Sequence, residues 1–172
     1  MTINWLIDSD GVLADFVSGA IAAHGRSESH NDIKSWDFYE SWGMTQEQFW
    51  SPLRSKDFWL SLEPYPWAQT LLDAVGTFTI ATAPPLNPDS VTAKLEWLNS
   101  HFGIKTTDVM VGSKKWLMSN EKSILVDDNP NNIEAFSEYG DGDGILFPQP
   151  WNLGVGNYST VIDQIKTLNR YF

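Results

Sequence analysis

Residues 5–16 read WLIDSDGVLADF. Trp5, Leu6 and Ile7 form an apolar run long enough for a buried strand. Asp8, Ser9, Asp10 and Gly11 follow at once. On an extended chain, carboxylates at i and i+2 point to the same side. Charges that close raise each other's pKa unless a cation lies between them. An aspartate pair at the C-terminal end of a buried parallel strand is where an open α/β sheet keeps its ligand site. Two readings are open for this stretch alone. One is a metal-assisted phosphoryl-transfer site. The other is a strand ending in a polar turn, because Asp, Ser and Gly are all turn residues.

The same pattern recurs along the chain. Phe78–Ala81 is a short strand followed by Thr82, Ala83 and two prolines. Thr82 is either a plain turn residue or a hydroxyl placed to meet phosphate oxygens. Val109–Val111 is a third strand, followed by Gly112, Ser113, Lys114 and Lys115. Ser123–Val126 is a fourth, and it runs into Asp127 and Asp128. Ile145–Phe147 is a fifth. Helical patterns fall between them, at Ala14–His24, at Trp67–Val75 and from an Asn87 or Asp89 cap to Phe102. Val91, Leu95, Leu98 and Phe102 are the expected apolar stripe of that third helix. Lys94 borders the stripe, to snorkel into solvent or to reach the mouth of the sheet. Helices are also expected over Asn131–Tyr139 and Ser159–Leu168.

Residues 17–65 are dense in aromatics and short helix signals, with Thr45 to Gln48 fitting a capping box. They read as a small helical cap (17–65) on a core of residues 1–16 and 66–172; the alternative is that these helices simply join the core. Strands alternating with helices predict a parallel, three-layer α/β sheet. In it Asp8, Asp10, Thr82, Asp127 and Asp128 all follow strands and converge on one edge.

Composition narrows the classes. The 172 residues suit one domain, or one with a small insertion. A formal net charge of −11 argues against binding nucleic-acid polymers, which requires a basic surface. A small phosphorylated substrate stays compatible, because a metal supplies local positive charge. Cysteine is absent, which removes disulfides, thiolate metal sites and a thiol nucleophile. His24, His30 and His101 show no ligand spacing. No apolar run approaches the ~18 residues of a membrane span and the N-terminus is no signal peptide, so a soluble, cytoplasmic protein is expected. Nine tryptophans are a heavy load, and Trp36, Trp42, Trp50 and Trp59 fall in polar sequence.

These pieces together resemble the haloacid dehalogenase (HAD) superfamily of phosphotransferases. DSDGV at 8–12 resembles its first motif, Thr82 its second, Lys94 its third and VDD at 126–128 its fourth. A helical insertion after the first motif resembles that superfamily's type C1 cap on a Rossmann-like core. DSDGVLADF at 8–16, FWLSLEPYP at 58–66, ATAPP at 81–85, AKLEWLNSHFG at 93–103 and LVDDNP at 125–130 are similar to the 5'(3')-deoxyribonucleotidases. The likeness spans the chain to about Asn132 and fades beyond it. ATAPP departs from the family form, which has a serine after the threonine, so Ala83 offers only its backbone to phosphate.

The resemblance implies Asp8 as nucleophile and Asp10 as general acid and base. It implies Mg²⁺ held by Asp8, the Asp10 carbonyl and Asp128, with Asp127 in support and the order of those last two open. Thr82, Ala83 and Lys94 would bind the phosphoryl group. Phe16, with Phe58 or Trp59, would stack on the base of a nucleotide substrate; Trp42 and Trp50 are weaker choices. Lys114 would either approach the phosphate or stay solvated. A homodimer is one option for the assembly. Three other readings stay open: a phosphatase of sugar or other small phosphates, a receiver-like signalling module, and a phosphate-binding protein without catalysis. The aromatic-rich cap favours a planar substrate, and a second acidic pair after Lys94 is out of order for a receiver.

Overall fold

The computed structural model describes residues 2–83 and 87–171; Pro84 and Pro85 of the ATAPP stretch lie outside them. Five parallel strands form one sheet: β1 (Asn4–Ile7), β2 (Phe78–Thr82), β3 (Val109–Val111), β4 (Ser123–Asp127) and β5 (Asp143–Leu146). Their order is β3-β2-β1-β4-β5. The chain leaves β1 toward β2 and β3, then crosses to the other side of β1 for β4 and β5. The order therefore reverses at β1, and the crevice beyond the C-terminal ends of β1 and β4 is where such a sheet binds ligands.

Register puts the apolar residues on two faces. Trp5 pairs with Ile124, and Ile7 with Ile80 and Val126. These side chains join the larger core cluster with Leu71, Leu98 and Ile165 from helices. Leu6 and Leu125 point the other way and meet Ala81 and Phe136. Both faces are covered, so the strands read as continuous apolar runs.

The helices are α1 (Phe16–Ala23), α2 (Gln46–Trp50), α3 (Lys56–Leu60), α4 (Ala68–Val75), α5 (Pro88–Phe102), α6 (Pro130–Glu138) and α7 (Tyr158–Tyr171). Thr45 caps α2 with its hydroxyl, and Gln48 returns a bond to the Thr45 N–H, as the capping-box spacing predicts. Asn87 caps α5 by accepting from the Ser90 N–H at 2.9 Å. Between α1 and α4, residues 24–67 form short helices, 3-10 turns and loops, with no strand among the described residues. Phe38, Phe49, Leu53, Phe58 and Trp59 of this insert share one continuous apolar cluster with the sheet's core.

Two expectations are corrected. The buried side of α5 consists of Ser90, Ala93, Lys94, Trp97 and Leu98, while Val91, Leu95 and Phe102 are half-buried. The stripe is rotated because Lys94, which looks like a solvent residue by hydropathy, sits in its middle. The last strand starts at Asp143 and ends at Leu146, since the register with β4 runs Ile124 to Asp143 through Asp127 to Leu146.

Candidate active site

The loop after β1 is wound tightly. The carbonyl of Ser9 accepts from Leu13 and Ala14 at 2.8 and 2.9 Å, and the Gly11 N–H donates to Ala14. Gly11 has φ +78°, a left-handed backbone that favours glycine. A Cβ there would also lie 2.3 Å from Oδ2 of Asp128. Gly11 is thus the point where the ends of β1 and β4 touch.

Four aspartates and two lysines meet at this point. Asp8, Asp127 and Asp128 are buried and each offers an oxygen within 4.8 Å of the others. Lys115 is 2% exposed. Its Nζ lies 2.8 Å from Oδ1 of Asp8 and donates to Oδ2 of Asp127 at 2.6 Å. Lys94 is 5% exposed and donates to Asp10 Oδ2, to Thr82 Oγ1 at 3.1 Å and to the Ala83 carbonyl at 3.3 Å. Each lysine therefore neutralises one side of the acid cluster.

Proton affinities follow from this crowding. Burial pushes the Asp10 carboxyl up, Lys94 pulls it partly back and Asp8 adds to the rise. Asp127 is pushed up to about 6, first by burial and then by Asp8, against the pull of Lys115. Asp128 rises well above the usual carboxylate range, by burial and then by Asp127 and Asp8. Burial alone would lower the Lys115 ammonium, but Asp8 and Asp127 outweigh it and its pKa rises. Such a cluster binds either protons or a cation.

The hydrogen bonds separate Asp127 from Asp128. Both Asp127 oxygens are engaged, by the Asn129 N–H at 2.9 Å, by Asn132 Nδ2 at 3.0 and 3.2 Å, and by Lys115. Asp128 accepts a side-chain bond only at Oδ2, from Trp151 Nε1 at 2.7 Å, among the described residues. One oxygen of Asp10, Oδ1, is buried without a partner.

Phe16, Phe58, Trp59 and Trp50, four of the aromatic residues singled out in the sequence, are brought together. Phe16 stacks on Trp59 at 5.6 Å and 19°, with Trp50 at 5.7 Å and Phe58 edge-on at 6.0 Å. Phe16, Phe58 and Trp59 are all buried. The Trp59 indole N–H is buried with no partner, and the Lys94 ammonium lies 4.8 Å from its ring centre. Trp42 is outside this group and packs on His24, Phe38 and Arg26. A cleft of about 590 Å³ between α1 and α3 is lined by Asp15, Ser18, Phe58 and Leu62, but by none of the clustered acids or lysines.

Lys114 is exposed, and its neighbour Lys115 is the lysine that enters the site. The signal for this was present: Lys115 is followed by Trp116, Leu117 and Met118, and a 3-10 turn over Lys115–Met118 buries its start. Trp151 and Asn152, from the PQPWN stretch at 148–152, were also not foreseen. They come from an irregular segment whose only local signals are prolines.

The chain is similar in sequence and in fold to known proteins. A curated 5'(3')-deoxyribonucleotidase of Bacillus subtilis (strain 168) is 28% identical over 167 residues, covering 91% of each chain. A solved hydrolase from Streptococcus pneumoniae TIGR4 superposes with a TM-score of 0.58 at 19% identity, covering 95% of this chain and 100% of that one. A solved HAD-superfamily hydrolase, subfamily IA, from Geobacter sulfurreducens PCA gives 0.54 at 14% identity, covering 95% and 96%. Both share the fold, as the strand order and the resemblance predict. The family profile described as 5' nucleotidase, deoxy (pyrimidine), cytosolic type C protein matches residues 2–163, and the chain belongs to that family.

Proposed function

We propose that the protein is a Mg²⁺-dependent phosphatase of nucleoside monophosphates, a 5'(3')-deoxyribonucleotidase working through an aspartyl-phosphate on Asp8. The observation that carries this reading is the meeting of two carboxylate pairs and two buried lysines at one sheet edge, beside a cluster of aromatic rings. With Asp8, Asp127 and Asp128 ionised, the Lys115 ammonium leaves two negative charges uncompensated, which one divalent cation neutralises. The donors are all oxygens, as Mg²⁺ requires. Asp8, the Asp10 carbonyl and Asp128 would hold it, and Asp127, with both oxygens already engaged, would support them. When bound, Mg²⁺ offsets the repulsion between an anionic nucleophile and a phosphate dianion.

A carboxylate oxygen of Asp8 attacks phosphorus, and the bond from phosphorus to the nucleoside oxygen breaks. Asp10, whose raised pKa suits it to carry a proton, protonates that leaving oxygen. Water then attacks the phosphorus of the aspartyl-phosphate and gives its proton to Asp10. Asp8 is released together with inorganic phosphate. Lys94 and Thr82, with the backbone at Ala83, bind phosphoryl oxygens, and Lys115 orients the nucleophile. Residues 17–65 act as the cap that receives the base. Its rings are packed on one another, so a base enters by parting Phe16, Phe58 and Trp59, and stacking contributes about 1–3 kcal/mol per base. The unpaired Trp59 N–H is a donor for a base carbonyl. No described helix is long and apolar enough to cross a membrane, and the reading places the enzyme in the cytoplasm.

The test is phosphate release from 5'- and 3'-nucleoside monophosphates and several sugar phosphates, with and without Mg²⁺, beside an Asp8→Asn variant. Mg²⁺-dependent turnover of deoxynucleotides that vanishes in Asp8→Asn is expected. Turnover of sugar phosphates alone would refute the nucleotide assignment.

A further inference from the structure

We propose that Trp151 is a positioning residue for Asp128, tying the cation-holding end of β4 to residues 30–36 of the insert through one indole ring. The inference rests on the Mg²⁺ reading above and adds a residue to it.

The geometry is specific. Trp151 is 7% exposed, and its N–H donates to Oδ2 of Asp128 at 2.7 Å. That bond takes one oxygen of a carboxylate whose other oxygen receives no hydrogen bond among the described residues. It fixes the rotation of the carboxylate, and so decides which oxygen faces Asp8. The next residue completes the hold. Asn152 Nδ2 donates to the backbone carbonyls of Asp128 and Phe147 at 2.7 and 2.8 Å. Its Oδ1 accepts from the N–H groups of Gln149 and Gly154 at 3.1 and 2.9 Å. Gln149 in turn donates to the Gly11 carbonyl. The segment after β5 is thus fastened to both acidic strand ends, at Gly11 and at Asp128.

The far side of the indole faces the insert. His30 lies edge-on at 5.0 Å and Trp36 is tilted at 6.0 Å. Trp36 is 36% exposed, and it also lies 6.1 Å from Phe16. A single ring therefore touches a metal-binding carboxylate on one edge and, through Trp36, the aromatic cluster on the other. Groups that hold metal ligands from outside typically change metal affinity about 10–100-fold when removed.

The test is Trp151→Phe, which keeps an aromatic ring on the side of His30 and Trp36, deletes the N–H and trims the two fused rings to one. Mg²⁺ affinity is read without substrate, from the rise of the melting temperature with Mg²⁺ concentration. The expected result is about 10- to 100-fold weaker Mg²⁺ binding, with a melting temperature in EDTA close to the parent's and an unchanged nucleotide KM at saturating Mg²⁺. In an Asp128→Asn background the same substitution is expected to change Mg²⁺ binding no further. Parent-like Mg²⁺ affinity in Trp151→Phe overturns the proposal and leaves the nucleotidase reading intact. An equal loss in both backgrounds overturns it too, because the effect would not pass through Asp128. If Trp151→Phe folds poorly, benzothienylalanine at position 151 carries the test: it keeps the two fused rings and replaces only the N–H by sulfur, and unaltered Mg²⁺ affinity there is overturning. A parent protein that binds no Mg²⁺ at all ends both readings.

Discussion

Replacing Lys115 by methionine would keep most of the side-chain volume and remove one buried charge. Lys115 serves two carboxylates at once, 2.8 Å from Asp8 and 2.6 Å from Asp127, and is 2% exposed. Removing one partner of a buried pair typically costs about 3–5 kcal/mol. Protonation limits the loss, because a neutral carboxyl no longer needs the ammonium. Asp127 stands at about 6 with Lys115 in place, and the substitution raises it further. A carboxyl whose folded pKa lies above its unfolded value of 3.8 contributes fully below that value. The contribution is then lost as pH rises through the folded pKa. The variant should therefore be destabilised by about 3–5 kcal/mol at pH 7 and clearly less at pH 5. Urea unfolding in EDTA at the two pH values measures this, followed by far-UV circular dichroism. Mg²⁺ should recover part of the loss at pH 7, since it supplies positive charge to the same cluster. A loss below about 1 kcal/mol at pH 7, or one equal at both pH values, would refute the electrostatic account of Lys115.

Asp10→Asn should lower kcat about 10²- to 10⁴-fold with little change in nucleotide KM, because it removes proton transfer and leaves the phosphate site in place; steady-state kinetics at saturating Mg²⁺ decide it. Gly11→Ala should destabilise the protein and weaken Mg²⁺ binding together, since a Cβ would strike Asp128 on a backbone with positive φ; thermal melts with and without Mg²⁺ test both. For the unaltered protein, Mg²⁺ should raise the melting temperature more at pH 7 than at pH 4.5, because protons compete for the carboxylates that burial and mutual repulsion push up; a shift independent of pH would count against a cation at this cluster.

Much of the sheet was legible because β1 and β4 are nearly unbroken apolar runs ending abruptly in polar residues, whereas β5 begins with Asp143 and Gly144 and runs on into Phe147. Trp5–Ile7 and Ser123–Val126 could be read without knowing what packs on them. The two acidic pairs were legible for the same reason, since a strand end fixes where the next side chains go. Helix α5 was harder. Its buried face contains a lysine whose charge is met by Asp10, 84 residues away in sequence, and hydropathy cannot see a partner. Lys115 and Trp151 show the same limit. Lys115 opens a 3-10 turn and Trp151 lies in an irregular segment, and the importance of each comes from the carboxylates it reaches. Of the aromatic group around Phe16, the sequence singles out Phe58, Trp59 and Trp50 but not Phe49 at 6.4 Å, and the mutual stacking depends on the packing of α1, α2 and α3, which no spacing encodes.

The strand order has a consequence for how the chain comes to be made. β1 is emitted first, yet it lies in the middle of the sheet and needs β2 on one side and β4 on the other. Asn4 to Ile7 cannot complete its pairing until Ser123 to Val126 has been synthesised. Until then one edge of a short apolar strand stays open, which is the exposure that invites wrong pairing between chains. Growing chains would therefore be most vulnerable between the emergence of β3 and that of β4. A ribosome-bound fragment stopped near residue 150, with β3 outside the exit tunnel and β4 still within it, should be more protease-sensitive and more prone to aggregate than one carrying all 172 residues.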